Sequence, residues 1–394
     1  MYEMFLEKHY PGVLFEAKQN ERNLQKLQSE VKYSFYLQYF RDNYNYTFGR
    51  PRSDVCTTCS EMEAKISHEK NGALKRSLET DLKVHKTRAK LFYTKMQECL
   101  LKAKENEDTE VLCFDFKQNI PCPHMCTSDV FYKRQLWMYC ISIYSGKKSK
   151  SVMYTWTENT AKRGCNEVLS VLNHYINAFL PSNVKRLYVF TDGCRGQNHN
   201  QNMLKFWQTL VLNGKFENIQ HFFPQRGHSF LPCDRHFAII EKMQRRREVV
   251  ESPSDWNTII SSKFTVVELK RNMVRDFVNG LSEPFFKKNF TTNKLKFQIT
   301  KYKFFEFKSE SKSLMFGSFS LNNVCTDVFR LLKPGVEFVP IPEKLAYSAD
   351  LPINALKLQN IKELCKFLKD GKAIAFYDSL TGATCTHEDE PDER

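Results

Sequence analysis

The chain of 394 residues has no apolar run long enough to cross a bilayer. Its opening residues, Met1-Tyr2-Glu3-Met4-Phe5-Leu6-Glu7, lack the basic-then-apolar layout of a secretory leader. These two absences predict an intracellular protein with no membrane attachment. A dense cysteine framework is missing too. The 13 cysteines are odd in number and scattered through the sequence, which fits free thiols and one metal site better than a disulfide scaffold. No zinc finger of standard spacing occurs, and no N-terminal DNA-reading motif is recognisable. What is present is a hydrophobic fraction of 41%, an aromatic fraction of 13% and a formal net charge of +14. The first two belong to a folded protein. The charge favours a polyanionic partner, nucleic acid first and an anionic membrane surface second, with a merely solvated basic surface as the simple alternative.

Residues 1–105 read as a helical region. Apolar and aromatic positions Leu24, Leu27, Val31, Phe35 and Tyr39 recur at helical spacing, with Tyr36 and Phe40 flanking them. Cys56 and Cys59 form a CxxC pair, half of a structural zinc site; the alternative is two unliganded thiols near a helix start. Helical sequence continues from Glu61 to Lys104 and carries His68, His85 and Cys99. Cys122, His124 and Cys126 are further donors downstream. The acidic run from Glu105 to Glu110 reads as a linker.

Residues 111–250 read as an α/β core. Val111 to Phe116 is a buried strand with Asp115 near its end. Leu136 to Tyr144 and Ser151 to Trp156 are strands joined by a turn at Ser145-Gly146-Lys147-Lys148. A helix follows from Val168 to Phe179, and then an apolar run from Leu187 to Phe190 drives into Asp192 and the turn Gly193-Cys194-Arg195-Gly196. Another helix spans Asn200 to Leu212, a short strand Ile219 to Phe223, and a third helix opens near Pro232-Cys233-Asp234. Three strands, helix, strand, helix, strand, helix is the order of a ribonuclease H-like mixed sheet flanked by helices. In that fold the first strand lies beside the fourth, so Asp115 and Asp192 would meet at the sheet's end. Asp234 would face both from the following helix; Glu241, seven residues on, is the alternative third acid. Each has a bland reading: Asp192 and Asp234 as helix caps, Glu241 as half of a surface ion pair. Clustered carboxylates suit two Mg2+ or Mn2+ ions, hard cations that prefer oxygen ligands. Arg163, Arg195, Asn198, Lys242, Arg245, Arg246 and Arg247 are candidate nucleic-acid contacts, with a solvated helix face as the alternative for the basic ones and ordering of the turn as the alternative for Asn198. His228 could serve a leaving oxygen or simply pack.

Several motifs carry a resemblance. They are Phe114-Asp115-Phe116 with Asn119, Phe131 to Leu136, Trp156-Thr157-Glu158 with Arg163-Gly164, Asn166-Glu167-Val168, Asp192-Gly193-Cys194 with Gly196-Gln197-Asn198 and Asn200, and Gly227-His228-Ser229 with Asp234-Arg235-His236-Phe237. Together they resemble an uncharacterised family of transposon-derived eukaryotic proteins, whose members resemble transposases and integrases with a three-acid (DDD/DDE) core. The likeness covers roughly residues 30 to 380; Cys122 and Cys126 around His124 depart from the family's Pro-rich turn. It implies a metal-dependent DNA nuclease or strand transferase working in the nucleus, or a domesticated, inactive nucleic-acid-binding descendant. A homo-oligomer is compatible with it. Residues 251–380 read as a smaller α+β appendage, with helix from Trp256 to Phe277 and again from Ile361 to Leu368, and strand from Leu295 to Phe307. Residues 381–394 read as an acidic tail.

Overall fold

The computed structural model describes residues 2–12, 15, 32–44, 55–282, 284–288, 290, 297–322 and 326–383. Its chain divides into two units, Met1–Val55 and Cys56–Arg394. In the first, α1 (Tyr2–His9) buries Tyr2 and Leu6 against Tyr33 and Tyr36 of α2 (Tyr33–Asn43). The aromatic stripe is rotated from expectation. Tyr33, Tyr36, Leu37 and Phe40 are half-buried while Phe35 and Tyr39 are exposed; Leu24, Leu27 and Val31 lie outside the described residues.

The second unit opens with a helical hairpin, α3 (Thr57–His68) and α4 (Gly72–Glu105). The expected single helix is broken because Asn71 caps a new one, its side chain accepting from the Ala73 and Leu74 N–H groups. On α4 the buried residues are His85, Ala89, Phe92, Met96, Cys99 and Ala103. Steps of four and three put them in one seam, and that seam packs on the sheet.

Strands follow as β1 (Thr109–Phe116), β2 (Ile120–Cys122) and β3 (His124–Met125). After the short α5 (Ser128–Tyr132) come β4 (Leu136–Ser145), β5 (Lys150–Thr157), α6 (Cys165–Ala178), β6 (Arg186–Thr191), α7 (Gln201–Leu212) and β7 (Asn218–Phe222). Then come α8 (Pro232–Gln244), β8 (Val249–Val250), α9 (Pro253–Ser261), β9 (Thr265–Glu268), α10 (Phe277–Gly280), β10 (Phe304–Lys308), β11 (Leu314–Ser318), β12 (Asp327–Arg330), α11 (Ala355–Leu364) and α12 (Gly371–Asp378). Among the described residues the main sheet has ten strands in the order β12-β11-β10-β7-β6-β1-β4-β5-β9, with β2 also on β4. It is mixed: β1, β6 and β7 run parallel, as do β5 and β9, while the remaining pairs are antiparallel.

Alternation along the strands sorts the core onto two faces. Leu112, Phe114 and Phe116 of β1 join Val168, Leu172, Phe206 and Trp207 of α6 and α7. Val111 and Cys113 face the other way, toward Phe92 and Met96 of α4, Phe237 and Ile240 of α8, and Trp256 of α9. The sheet is therefore the middle layer of three, and buried on both sides β1 reads as a continuous apolar run.

Two boundaries differ from the sequence reading. The acidic stretch at 105–110 is no linker: Glu110 is buried, its carboxylate accepting from the Ser145 hydroxyl (2.9 Å) and the Lys147 N–H (3.0 Å). Residues 251–380 do not stand apart. They add β9 to one edge of the sheet and β10, β11 and β12 to the other, and the helix expected from Trp256 to Phe277 ends at Ser261 before β9. Side-chain chemistry alone does not distinguish a strand that extends a distant sheet from one that starts a new one.

The hairpin turn between β4 and β5 closes tightly on β1. A Cβ on Gly146 would lie 2.9 Å from the Val111 Cβ and 2.5 Å from Leu100 Cδ2. Gly146→Ala should therefore lower stability by about 1–3 kcal/mol, read as a fall in the urea midpoint; an unchanged midpoint would contradict this packing.

Candidate functional site

Parallel pairing of β1 and β6 sets Phe114 opposite Thr191. The residue after each is an aspartate, Asp115 still on β1 and Asp192 just past the end of β6, so the two lie on neighbouring chain segments, a separation on the order of 5 Å between backbones. Asp234 comes from α8, whose start is anchored by the buried Cys233 thiol, which donates to the carbonyls of Cys113 (3.3 Å) and Ser142 (3.7 Å) on β1 and β4. Burial first, then repulsion from Asp192 and Asp234, holds the Asp115 carboxyl well above the usual carboxylate range. Its Oδ1 accepts the Phe116 N–H at 2.7 Å. Burial also raises Asp192, opposed by hydrogen bonds from the Asn198 side chain and the Cys194 backbone and by the charge of Arg163. Asp234 has a second job, since Oδ2 accepts the Leu231 N–H (2.6 Å) at the helix start.

The other candidates separate by burial. Arg163 acts on both Asp115 and Asp192 and lies over the Phe116 ring, 4.8 Å from its centre. Asn198 is 1% exposed and donates to Asp192 Oδ1 at 2.5 Å, which makes it an orienting group for the carboxylate and not a surface contact. Arg195, Lys242, Arg245, Arg246 and Arg247 are exposed. Glu241 pairs with the buried Lys117 (3.7 Å) and with the exposed Arg245 (3.8 Å).

A second cluster forms around the CxxC pair. Cys56 is the N-cap of α3 and Cys59 sits one turn on, so both sulfurs share one side of the helix start. The Cys56 sulfur is 3.4 Å from His85 Nε2, and the Cys59 sulfur is 3.4 Å from His228 Nε2. The two imidazole nitrogens are 3.1 Å apart. All four donor atoms lie within 4.8 Å of one another, a set that could hold a metal ion. Among the described residues this is the one group of three or more Cys, His, Asp or Glu so closely drawn together, and the three aspartates are set more loosely. Burial, then the neighbouring His228, lowers the His85 pKa. Cys99, Cys122 and Cys126 take no part: the first two are core residues and the third is exposed. His228 is the donor of this cluster that the sequence did not pair with the cysteines. It follows Cys59 by 169 positions, and no local spacing rule reaches that far.

Residues 135–316 match a family model described as a domain of unknown function (DUF7869). No curated protein and no solved structure matches the chain. The DUF7869 segment includes Asp192, His228 and Asp234, whereas Asp115 and the donors Cys56, Cys59 and His85 precede it.

A carboxyl whose folded pKa is raised above its unfolded value near 3.9 binds more protons in the folded state. Its protonated form supports the fold at low pH, and that support is lost as pH rises through the folded value. Asp115→Asn should therefore raise the thermal midpoint at neutral pH in chelator, with the gain shrinking toward pH values below about 4. An equal gain at both pH values would show that charge at Asp115 is not the cause.

Proposed function

We propose that the chain is a metal-dependent phosphodiester-cleaving or strand-transferring enzyme acting on DNA, with Asp115, Asp192 and Asp234 as the ligands of two Mg2+ or Mn2+ ions. The observation that carries this reading is the register of β1 and β6, which delivers two half-buried carboxylates side by side with a third acid acting on the first. The chemistry of the donors fits hard cations: oxygen ligands only, with burial and then the neighbouring acids raising the Asp115 carboxyl, both of which a bound cation would offset. Bound there, paired divalent ions would activate the attacking oxygen and stabilise the leaving one.

The chain's own groups have separable tasks in this reading. Asn198 fixes the rotation of the Asp192 carboxylate, and Arg163 supplies positive charge beside both strand-end acids. Lys242 lies eight residues beyond Asp234 on α8, roughly 12 Å along its axis. With Arg245, Arg246 and Arg247 it offers exposed cations to phosphates flanking the reacting one. The strand order β5-β4-β1-β6-β7, antiparallel on one side of β1 and parallel on the other, supports a ribonuclease H-like and transposase-like assignment. A DNA substrate would place the protein in the nucleus.

A second reading is a binding protein derived from such an enzyme that has lost its chemistry. What favours it is that one oxygen of Asp234 is engaged in capping α8, and that Glu241 is engaged with Lys117 and Arg245.

Asp192→Asn should abolish Mn2+- or Mg2+-dependent cleavage or joining of DNA while leaving the circular dichroism spectrum that of the folded wild type. Full activity in the variant sinks the enzyme reading. A wild-type chain that binds DNA but shows neither turnover nor saturable Mn2+ binding selects the second one.

A further inference from the structure

The four donors of the Cys/His cluster come from three places in the fold: the start of α3, the middle of α4, and the loop between β7 and α8. We propose that Cys56, Cys59, His85 and His228 form a closed, tetrahedral Zn2+ site that clamps the β7–α8 loop and thereby sets the position of Asp234.

Distances carry the first part. With Zn–S near 2.3 Å and Zn–N near 2.0–2.1 Å, a tetrahedron has S···N edges of roughly 3.5 Å and an N···N edge of roughly 3.3 Å. Three of the six edges are 3.4, 3.4 and 3.1 Å, and the others lie within 4.8 Å. Hydrogen bonding alone accounts for this arrangement poorly. Each Nε2 has one in-plane position, either a proton or a lone pair, yet each faces both a sulfur and the other Nε2. A single cation at the centre uses all four lone pairs at once, with both thiols releasing their protons on binding. Two thiolates and two imidazoles select zinc over the hard cations proposed for the aspartates. Four protein ligands fill the shell and leave no position for substrate, which marks a structural site.

The surrounding residues are shaped for it. Gly227, just before His228, has φ +80°, and a Cβ there would lie 2.7 Å from the Cys56 sulfur. Only glycine lets the loop approach the thiol this closely in that conformation. Tyr93 of α4 donates from its hydroxyl to the His228 carbonyl at 3.0 Å and is close enough to Asp234 to feel its charge. Asp234 follows His228 by six positions, and Cys233 pins the intervening segment to the sheet. The loop is thus held at His228 by the cluster and at Cys233 by the core, with Asp234 immediately beyond. This inference does not rest on the aspartates performing chemistry.

The test uses the full chain expressed with added zinc and purified without chelator. Elemental analysis should find one zinc per chain. Replacement by Co2+ should give the thiolate charge-transfer and intense d–d absorption of tetrahedral cobalt. His228→Ala should lose the ion, whereas His228→Cys, which restores a ligand, should keep it with a shifted cobalt spectrum. Removing zinc from the wild type should speed amide exchange in residues 225–233 by roughly tenfold or more, and adding it back should restore protection. A wild-type chain without zinc, or a His228→Ala chain that retains it in full, overturns the site; exchange indifferent to zinc overturns the clamp. Should His228→Ala fail to fold, the cobalt spectrum of His228→Cys decides: one identical to the wild type's rules out ligation by residue 228. Loss of DNA activity in Asp192→Asn would leave all of these readouts unchanged, so the two proposals fail separately.

Discussion

The parallel register between β1 and β6 is the constraint on which the rest of this molecule depends. Pairing Phe114 with Thr191 brings two acids to adjacent strand ends, and a shift of one residue would send one of them to the opposite face. The flanking side chains make such a shift costly. Leu112 and Phe114 on one strand and Leu187 and Val189 on the other all bury toward α6 and α7, while Cys113 and Phe190 bury toward α4 and α8. Each face is apolar and fully covered, so the hydrophobic effect enforces the register that puts the carboxylates together.

Burial that fixes the register also works against the charges. Asp115 sits half-buried near the end of β1 beside two other acids, and burial first, then their charges, disfavours its ionised form. Arg163 and Asn198 offset part of this at Asp192, the less buried partner. The pair is therefore unequal: hydrogen bonds from Asn198 and the Cys194 backbone and the charge of Arg163 oppose the upward shift at Asp192, whereas burial and two neighbouring acids drive Asp115 further up. Strain of this kind concentrates where a fold has a task other than stability.

Much of the sheet was legible in the sequence because β1, β4, β5, β6 and β7 are unbroken apolar runs bounded by turns, and helices with a 3.6-residue period separate the later ones. The strand-end aspartates interrupt those runs and so announced themselves. Less legible was anything decided by distant partners. Glu110 looked like part of a solvated acidic run, and only the hydroxyl of Ser145 and the backbone of Lys147 explain its burial. The strands β9 to β12 carry ordinary alternation, which does not say whose edge they join. Asn198 reads as an amide suited either to a phosphate or to ordering the turn, and its burial follows from the turn folding back on Asp192. His85 and His228 are single histidines in unremarkable surroundings; what makes them donors is the docking of α4 and of the β7–α8 loop against the CxxC helix.

These two clusters are the ends of one piece of construction. Asp115 and Asp192 are fixed by the sheet itself, but Asp234 arrives on a helix reached through a loop containing glycine at positive φ and an exposed Phe230. A loop of that composition has many conformations of similar energy when unsupported. Cys233 restrains one end through thiol contacts to two carbonyls, which are weak hydrogen bonds. The other end needs a restraint of its own if the third acid is to be held as closely as the first two. The Cys/His cluster stands at that position, attached to α4, the longest helix described, whose apolar seam is packed on the same face of the sheet. Soft donors for one ion and hard donors for others would then divide the work within one layer, the former giving shape to the loop and the latter presenting oxygen ligands at its far end.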